Sequence, residues 1–208
     1  MKHRPNRRIN AAVLRGQQFN SADRIASNQP ERRLYSVRRP VHADEASFLG
    51  YLSVSGFVIN GYSSERLSLS LLSAKQAKII AQKGPYSISK MKEVTFDVCN
   101  DLPPKLTGFI ERVTVFGEAE NSVGKTSYVA LIPNSDMTAV LTEEAALIAS
   151  RLGRPLRSRI NPHLSIVRNV ENTEYAFEIA NELNELLAQP EIPNRLILGK
   201  STPTLVKQ

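Results

Sequence analysis

The stretch Asn161-Pro-His-Leu-Ser-Ile-Val-Arg168 alternates polar and apolar side chains over much of its length. A period of two is typical of a β-strand with one face in the core, so we predict a strand over residues 163–170. His163 and Ser165 then lie on the outer face, and the apolar residues that follow each of them point to the core. Strict alternation would place Arg168 on the opposite face from His163.

Helical periodicity flanks this strand on both sides. Residues 136–152 repeat apolar side chains every three or four positions and stop at Gly153, so we predict a helix there. Asn172 can cap a second helix, which Pro190 closes. Its apolar face comprises Ala176, Ile179, Ala180, Leu183 and Leu187. A last short strand is predicted over residues 196–198.

Strand signals dominate the region before these helices. Residues 48–59 and 86–99 are rich in residues common in strands, and 66–72 alternates Leu with polar residues, so all three are predicted to be extended. Ser73 can cap a short helix through residue 82. Residues 109–116 and 127–132 predict a hairpin around a polar loop at 118–125. Strands that outnumber the helices between them indicate an α+β fold with an antiparallel or mixed sheet.

Positive charge is concentrated near the start of the chain. The 208 residues carry a formal net charge of +7, and residues 1–40 hold ten Lys or Arg against two acidic residues. The remaining residues therefore have a net charge of −1. Because such a segment buries little apolar surface, we predict a basic, mobile arm over residues 1–45 and one α+β domain over 46–208.

Three interpretations of the arm stay open. It is a solubilising tail, or it binds nucleic acid through phosphate contacts that release counterions and respond to salt. Its Arg-rich, acid-poor composition also fits a mitochondrial transit peptide. We expect a cytoplasmic protein, with a mitochondrial location as the alternative.

Several other classes of function are not supported by the sequence. The apolar runs are shorter than the roughly 20 residues that span a bilayer, so no membrane segment is expected. Three histidines and the single Cys99 lack the spacing of a zinc site, and no internal disulfide can form. Gly124-Lys-Thr126 lacks the spacing and the following helix of a phosphate-binding loop and is interpreted as part of a polar hairpin. No cofactor is expected.

An imidazole beside a hydroxyl suits phosphate chemistry. A histidine such as His163 can give or take a proton near neutral pH, and the Ser165 hydroxyl can donate a hydrogen bond to a phosphate oxygen. Four arginines upstream add positive charge: Arg151, Arg154, Arg157 and Arg159. A lone His-x-Ser also occurs around ordinary structural histidines, and this alternative stays open.

The order of elements over residues 128–198 is strand, helix, basic loop, Pro162-His-Leu-Ser-Ile-Val-Arg168, helix and strand. It resembles the second half of the 2H phosphoesterase superfamily, which includes the 2',5'-RNA ligase and cyclic phosphodiesterase group. The resemblance implies sheets around a central cleft with helices on the outer side. It also implies metal-independent cleavage of a cyclic or 2',5' phosphodiester by two His-x-Thr/Ser motifs, one His acting as base and the other as acid. His163 and Ser165 match the second motif.

The first motif of that superfamily is degenerate in this chain. Arg66-Leu-Ser68 stands at its expected place, so Ser68 can supply the hydroxyl but Arg66 replaces the histidine. A guanidinium cannot transfer protons at neutral pH, although it binds phosphate well. We therefore predict His163 and Ser165 as catalytic residues, and Arg66, Ser68 and Arg168 as substrate ligands.

Three functions fit these features. The first is a divergent phosphodiesterase that acts on RNA ends or on cyclic or 2',5'-linked oligonucleotides with one of the two catalytic histidines. The second is a catalytically silent RNA- or nucleotide-binding module with a phosphate-binding cleft. The third is a structural or interaction protein in which the motif has no chemical role.

Overall fold

The computed structural model describes residues 34–206 except 45, 56, 58–66, 73–87, 122–123 and 154–159. Within this part of the chain there are four helices and seven strands. In chain order they are β1 (Leu34–Pro40), α1 (Phe48–Val54), β2 (Ser68–Leu72), α2 (Ile88–Asp101), β3 (Leu106–Asn121), β4 (Gly124–Pro133), α3 (Ser135–Arg151), β5 (Leu164–Val170), α4 (Thr173–Leu187), β6 (Arg195–Leu198) and β7 (Thr202–Val206).

The strands form two antiparallel sheets. One has the order β2-β1-β7 and the other the order β5-β4-β3-β6. Val41 bridges Leu198 between the sheets, and β2, an edge strand of the first sheet, contacts β5, an edge strand of the second. The predicted α+β class with antiparallel sheets is confirmed.

The β3–β4 hairpin forms the centre of the larger sheet, and its prediction is confirmed. The alternating apolar residues Val113, Val129 and Leu131 are buried, which explains why both segments are extended. The strands are longer than predicted, because pairing continues to Asn121↔Gly124. The predicted loop at 118–125 is therefore largely strand.

The two helices predicted around β5 are confirmed as α3 and α4. The side-chain oxygen of Asn134 accepts from the Met137 N–H at 3.4 Å, and that of Asn172 accepts from the Glu174 N–H at 2.8 Å, so each helix starts at an Asn cap. Gly153 follows α3 with φ of 78°, a left-handed conformation that glycine adopts without strain.

Residues 48–54 and 88–99 lie in segments predicted to be extended but are helical, so those predictions are wrong there. Ser47 caps α1, and Phe48, Leu49 and Leu52 are buried on one side of it. In α2 the buried residues Val98 and Cys99 are followed by buried Leu102, which is helical spacing. Local strand propensity was outweighed in both segments by tertiary packing of an apolar helical face. The helix predicted from Ser73 lies outside the described residues.

The folded part of the chain begins earlier than the sequence indicated. β1 lies inside the segment predicted as the arm, where it is the central strand of the smaller sheet between β2 and β7. Val37 and Arg39 of this strand are buried. Neither β1 nor β7 was predicted, because the basic composition around β1 and the short polar end of the chain resemble unstructured segments. Residues 1–33 lie outside the described part, so the arm stays a prediction for them.

One side chain of α4 completes the larger sheet. β6 pairs only with the first four residues of β3. Beyond Phe109, β3 has no pairing with β6 on that side. At Val113 the Asn184 amide takes the place of a strand. Its oxygen accepts from the Val113 N–H at 2.8 Å, and its NH₂ donates to the Val113 C=O at 2.9 Å.

Candidate functional site

His163 lies immediately before β5, and its ring is half-buried. The preceding Pro162 is buried, which fixes the entry of the chain into the strand. The Nδ1 atom of His163 is 2.8 Å from the Asn161 carbonyl oxygen. Because a carbonyl only accepts, Nδ1 carries the proton in this hydrogen bond. In neutral His163 this leaves Nε2 as the unprotonated nitrogen that can accept a proton or a hydrogen bond.

Ser165 lies on the same side of the strand as His163. Leu164 and Ile166 are buried in the core, whereas Ser165 is half-buried. This is the predicted alternation, and it places the imidazole and the hydroxyl on one face with one residue, Leu164, between them along the chain. Ser165 is paired with Ala130 of β4, so the same face continues onto the neighbouring strand.

Arg168 also lies on this face, contrary to the strict alternation expected from the sequence. Irregular pairing, with Ala130↔Ser165 followed by Val129↔Val167, inserts one extra residue into β5. Ile166 and Val167 are consequently both buried, and the faces exchange after them. Exposed Arg168 therefore projects on the side of Ser165.

Arg168 lies close enough to Tyr128 for its charge to act on the phenol. Tyr128 neighbours Val129 on β4 and points to the same face as Ala130. Burial raises the pKa of the Tyr128 phenol, and the positive charge of Arg168 opposes this rise. The phenol is therefore protonated at neutral pH and can donate a hydrogen bond near the Arg168 guanidinium.

Two aromatic rings complete the surroundings of His163. The Phe116 and Tyr128 rings stack across the β3–β4 pair with centroids 5.2 Å apart and planes 18° apart. The His163 ring centroid is 4.8 Å from that of Phe116 and 5.8 Å from that of Tyr128. Sequence analysis missed both residues, because the register that brings them to His163 depends on strand pairing.

The candidate first motif is described only in part. Leu67, Leu69 and Leu71 are buried, and Ser68 is half-buried on the polar face of β2, so the alternation predicted for this strand is confirmed. β2 and β5 contact each other as edge strands of different sheets. Arg66 lies outside the described residues, and its role as a phosphate ligand stays a prediction.

A separate polar cluster lies between β1 and α3. Arg39 is fully buried, and Glu144 is 5% exposed. The Arg39 guanidinium donates to both Glu144 carboxylate oxygens, at 2.8 and 2.5 Å, and to the carbonyl oxygens of Gly199 and Pro103 at 2.6 and 3.1 Å. Because its guanidinium nitrogens all donate within the protein, this cluster holds the smaller sheet against α3.

Cys99 lies buried in α2, a helix where the sequence predicted an extended segment. Burial raises the pKa of the Cys99 thiol to about 11, partly offset by the charge of Arg39. The thiol is therefore uncharged at neutral pH and is a poor nucleophile.

The described residues contain no group of three or more His, Cys, Asp or Glu side chains arranged to hold a metal ion. In the same part of the chain, none of the helices has both the length and the apolar character needed to cross a membrane.

Comparison with known proteins found solved structures of low similarity to this chain. No protein-family model and no curated protein matches the chain. The structure of Kluyveromyces marxianus Usb1 is similar over 86% of this chain and 99% of that chain, with 10% sequence identity and a TM-score of 0.38. The structure of the same protein with uridine monophosphate covers 85% of this chain and 98% of that chain, with 12% identity and a TM-score of 0.37.

Proposed function

We propose that this protein is a divergent 2H phosphoesterase-like protein that acts on RNA ends or on cyclic or 2',5'-linked oligonucleotides. The observation that carries the proposal is the shared face of β5, on which His163, Ser165 and Arg168 lie together. An imidazole, a hydroxyl and a guanidinium are three groups that together can bind a phosphodiester and move a proton beside it.

The orientation of His163 defines its chemical role. With Nδ1 hydrogen-bonded to the Asn161 carbonyl, Nε2 is the atom that takes a proton from an attacking water. The water oxygen forms a bond to phosphorus, the bond from phosphorus to the 2' or 3' ribose oxygen breaks, and the leaving oxygen takes a proton from solvent. Ser165 and Arg168 hold the non-bridging oxygens and stabilise their charge.

A binding module with the same ligand is the second candidate, and the position of His42 favours it. His42 is the only other histidine in the described part of the chain. Its backbone N–H donates to the Ile197 carbonyl of β6, at the opposite edge of the larger sheet from β5. The described site therefore has one imidazole where an acid–base pair needs two. Loss of one partner typically lowers a rate by about 10² to 10⁴.

Hydrolysis of nucleoside 2',3'-cyclic phosphates by the wild type, His163→Ala and His42→Ala tests the enzyme proposal. We expect slow turnover that a metal chelator does not remove, a loss of about 10²-fold or more in His163→Ala, and no change in His42→Ala. Arg66→His restores an imidazole at the first-motif position of the sequence, so it should increase the rate.

Binding of RNA with a terminal phosphate to the same variants separates the two candidates. His163-dependent binding without turnover in the wild type or Arg66→His supports the binding module. If His163→Ala binds as tightly as the wild type and no variant turns over, both candidates are wrong.

We also propose that the basic arm contributes to RNA affinity. Residues 1–33 contain eight Lys or Arg and two acidic residues. Removal of these residues, which leaves β1 intact, should weaken RNA binding and flatten its salt dependence by about 0.7 in log–log slope for each lost phosphate contact. The circular dichroism spectrum and thermal midpoint should stay unchanged. An unchanged affinity and salt slope would exclude the nucleic-acid-binding arm and leave the solubilising tail and the transit peptide as interpretations.

A further inference from the structure

The edge of β3 that faces away from β4 is closed by other parts of the protein only up to Val113. The Ile110 N–H on this edge donates to the Asn194 carbonyl at 2.8 Å. The irregular pairing after Ile110 makes Val113 the next residue whose backbone faces this side, and there the Asn184 amide meets both the N–H and the C=O.

The following position on this edge is Val115. Backbone groups alternate between the two sides of a strand, so the N–H and C=O of Val115 point to the same side as those of Val113. In the part of the chain that the structure describes, no residue on that side pairs with Val115. The strand edge is therefore open at this position.

The space over β3 next to Val115 is also unfilled. Val115 is half-buried, whereas Gly117 is exposed. A Cβ atom built on Gly117 would have no atom of a more distant residue within 4 Å. An added chain can therefore approach this part of the edge without displacing a described side chain.

Phe177 of α4 lies beside the same edge. At the start of α4 the Thr173 hydroxyl is 3.0 Å from the Ser127 hydroxyl of β4, and Asn184, further along the helix, reaches β3. Phe177 comes two turns before Asn184, so it points to the same side of α4 and lies at about the level of Val115. Its side chain is 52% exposed, which leaves an aromatic surface next to the open edge.

The helix surface around Phe177 is acidic. α4 contains no Lys or Arg and four exposed glutamates: Glu174, Glu178, Glu182 and Glu185. Glu174 lies one turn before Phe177, and Glu178 follows it directly. Such a surface repels nucleic acid and attracts a chain that carries Lys or Arg.

We infer that Val115 and Phe177, which we call the edge site, bind an extended basic peptide of a partner protein that adds a strand to the larger sheet. The peptide backbone pairs with Val115, an apolar side chain packs on Phe177, and flanking Lys or Arg side chains lie near Glu174 and Glu178. Asn184 limits the site, because it closes the edge before Val115. The inference is independent of the proposed phosphate chemistry, which uses β5 at the other edge of this sheet.

The first test measures hydrogen exchange of the Val115 amide by NMR in the full-length protein. The probe is a short synthetic peptide that alternates Val with Thr and has Lys at both ends. We expect a dissociation constant below about 1 mM and, at saturation, exchange at Val115 that is slower by about tenfold or more.

Two matched peptides test the two parts of the recognition. A peptide with two adjacent Pro residues at its centre lacks an N–H on whichever side faces β3, so it should give no protection at Val115. A peptide with Glu in place of both Lys residues should bind at least about fivefold more weakly, because it meets the glutamates of α4 with like charge.

The second test removes the aromatic ring from the edge site. Phe177→Ser should weaken binding of the probe by about fivefold or more, since the apolar contact with the ring is lost. Phe96→Ser is the matched control, because Phe96 is 55% exposed on α2, and its affinity should stay within about twofold of the wild type. Urea denaturation checks that both variants remain folded.

Several outcomes would contradict the edge site. These are a lack of protection of Val115 by the probe, and an equal loss of affinity in the two Ser variants. Slow exchange at Val115 without any peptide would show that the edge is already covered. Protection that rises with protein concentration would then assign the edge to a second copy of the chain, and protection independent of concentration would assign it to another segment of the same chain.

Discussion

Two polar groups of residues on different sheets show what separates a structural polar cluster from a functional one. Around Arg39 the guanidinium is fully buried, and its donors meet the Glu144 carboxylate and two carbonyl oxygens. On β5, His163 and Ser165 are half-buried and Arg168 is exposed. Polar groups that are buried and matched inside the protein stabilise the fold, whereas partly exposed groups that share one surface are accessible to a ligand.

Arg39→Met should give the largest effect, and the effect should be on stability. The substitution keeps much of the side-chain volume but leaves the Glu144 carboxylate buried without its partner, which typically costs about 3–5 kcal/mol. Urea denaturation measures the free energy of unfolding.

The double variant Arg39→Met with Glu144→Leu removes the unpaired charge, so it should recover most of the lost stability. Ligand affinity, measured where the variants remain folded, should match that of the wild type. A loss of less than about 1 kcal/mol in Arg39→Met would show that the buried pair is not the structural cluster described above.

Arg168→Gln should give a smaller effect, and the effect should be on ligand binding and not on stability. It removes the charge from the open face of β5 and keeps a polar side chain, so it should weaken binding of a 3'-phosphorylated RNA by about 1.5–3 kcal/mol. Its free energy of unfolding should change by less than about 0.5 kcal/mol, as for most exposed positions.

The matched control is Arg195→Gln, since Arg195 is an exposed arginine at the start of β6, the opposite edge of the larger sheet from β5. It should leave the affinity for RNA within about twofold of the wild type, because it lies away from the site. If both substitutions weaken binding equally, Arg168 acts through the net charge of the protein and not as a ligand of the phosphate.

The parts of the fold that the sequence predicts are those with local signals. The apolar stripe of α4 and its Asn172 cap lie within one short segment, and so do the repeat of α3 and its stop at Gly153. For Arg39 the local sequence was misleading. A charged residue in a basic segment is normally solvated, so burial of Arg39 was not expected. Its partner Glu144 is 105 positions away in sequence and becomes visible only in the folded chain.

The candidate site divides in the same way. His163 and Ser165 are identified by a three-residue motif on one strand, which is local information. The face of Arg168 depends on a bulge, and the approach of Phe116 to His163 depends on the register of three strands. Neither depends on a pattern within a single segment, so a sequence taken alone does not reveal them.

The hydrogen bonds from Asn184 to Val113 have a consequence for the behaviour of the protein in concentrated solution. A strand edge with an unpaired N–H and C=O is a template on which a strand of another molecule can pair and start aggregation. The amide of Asn184 occupies both groups at Val113, where β6 has already ended. At this position one side chain thus prevents the larger sheet from growing into its neighbours.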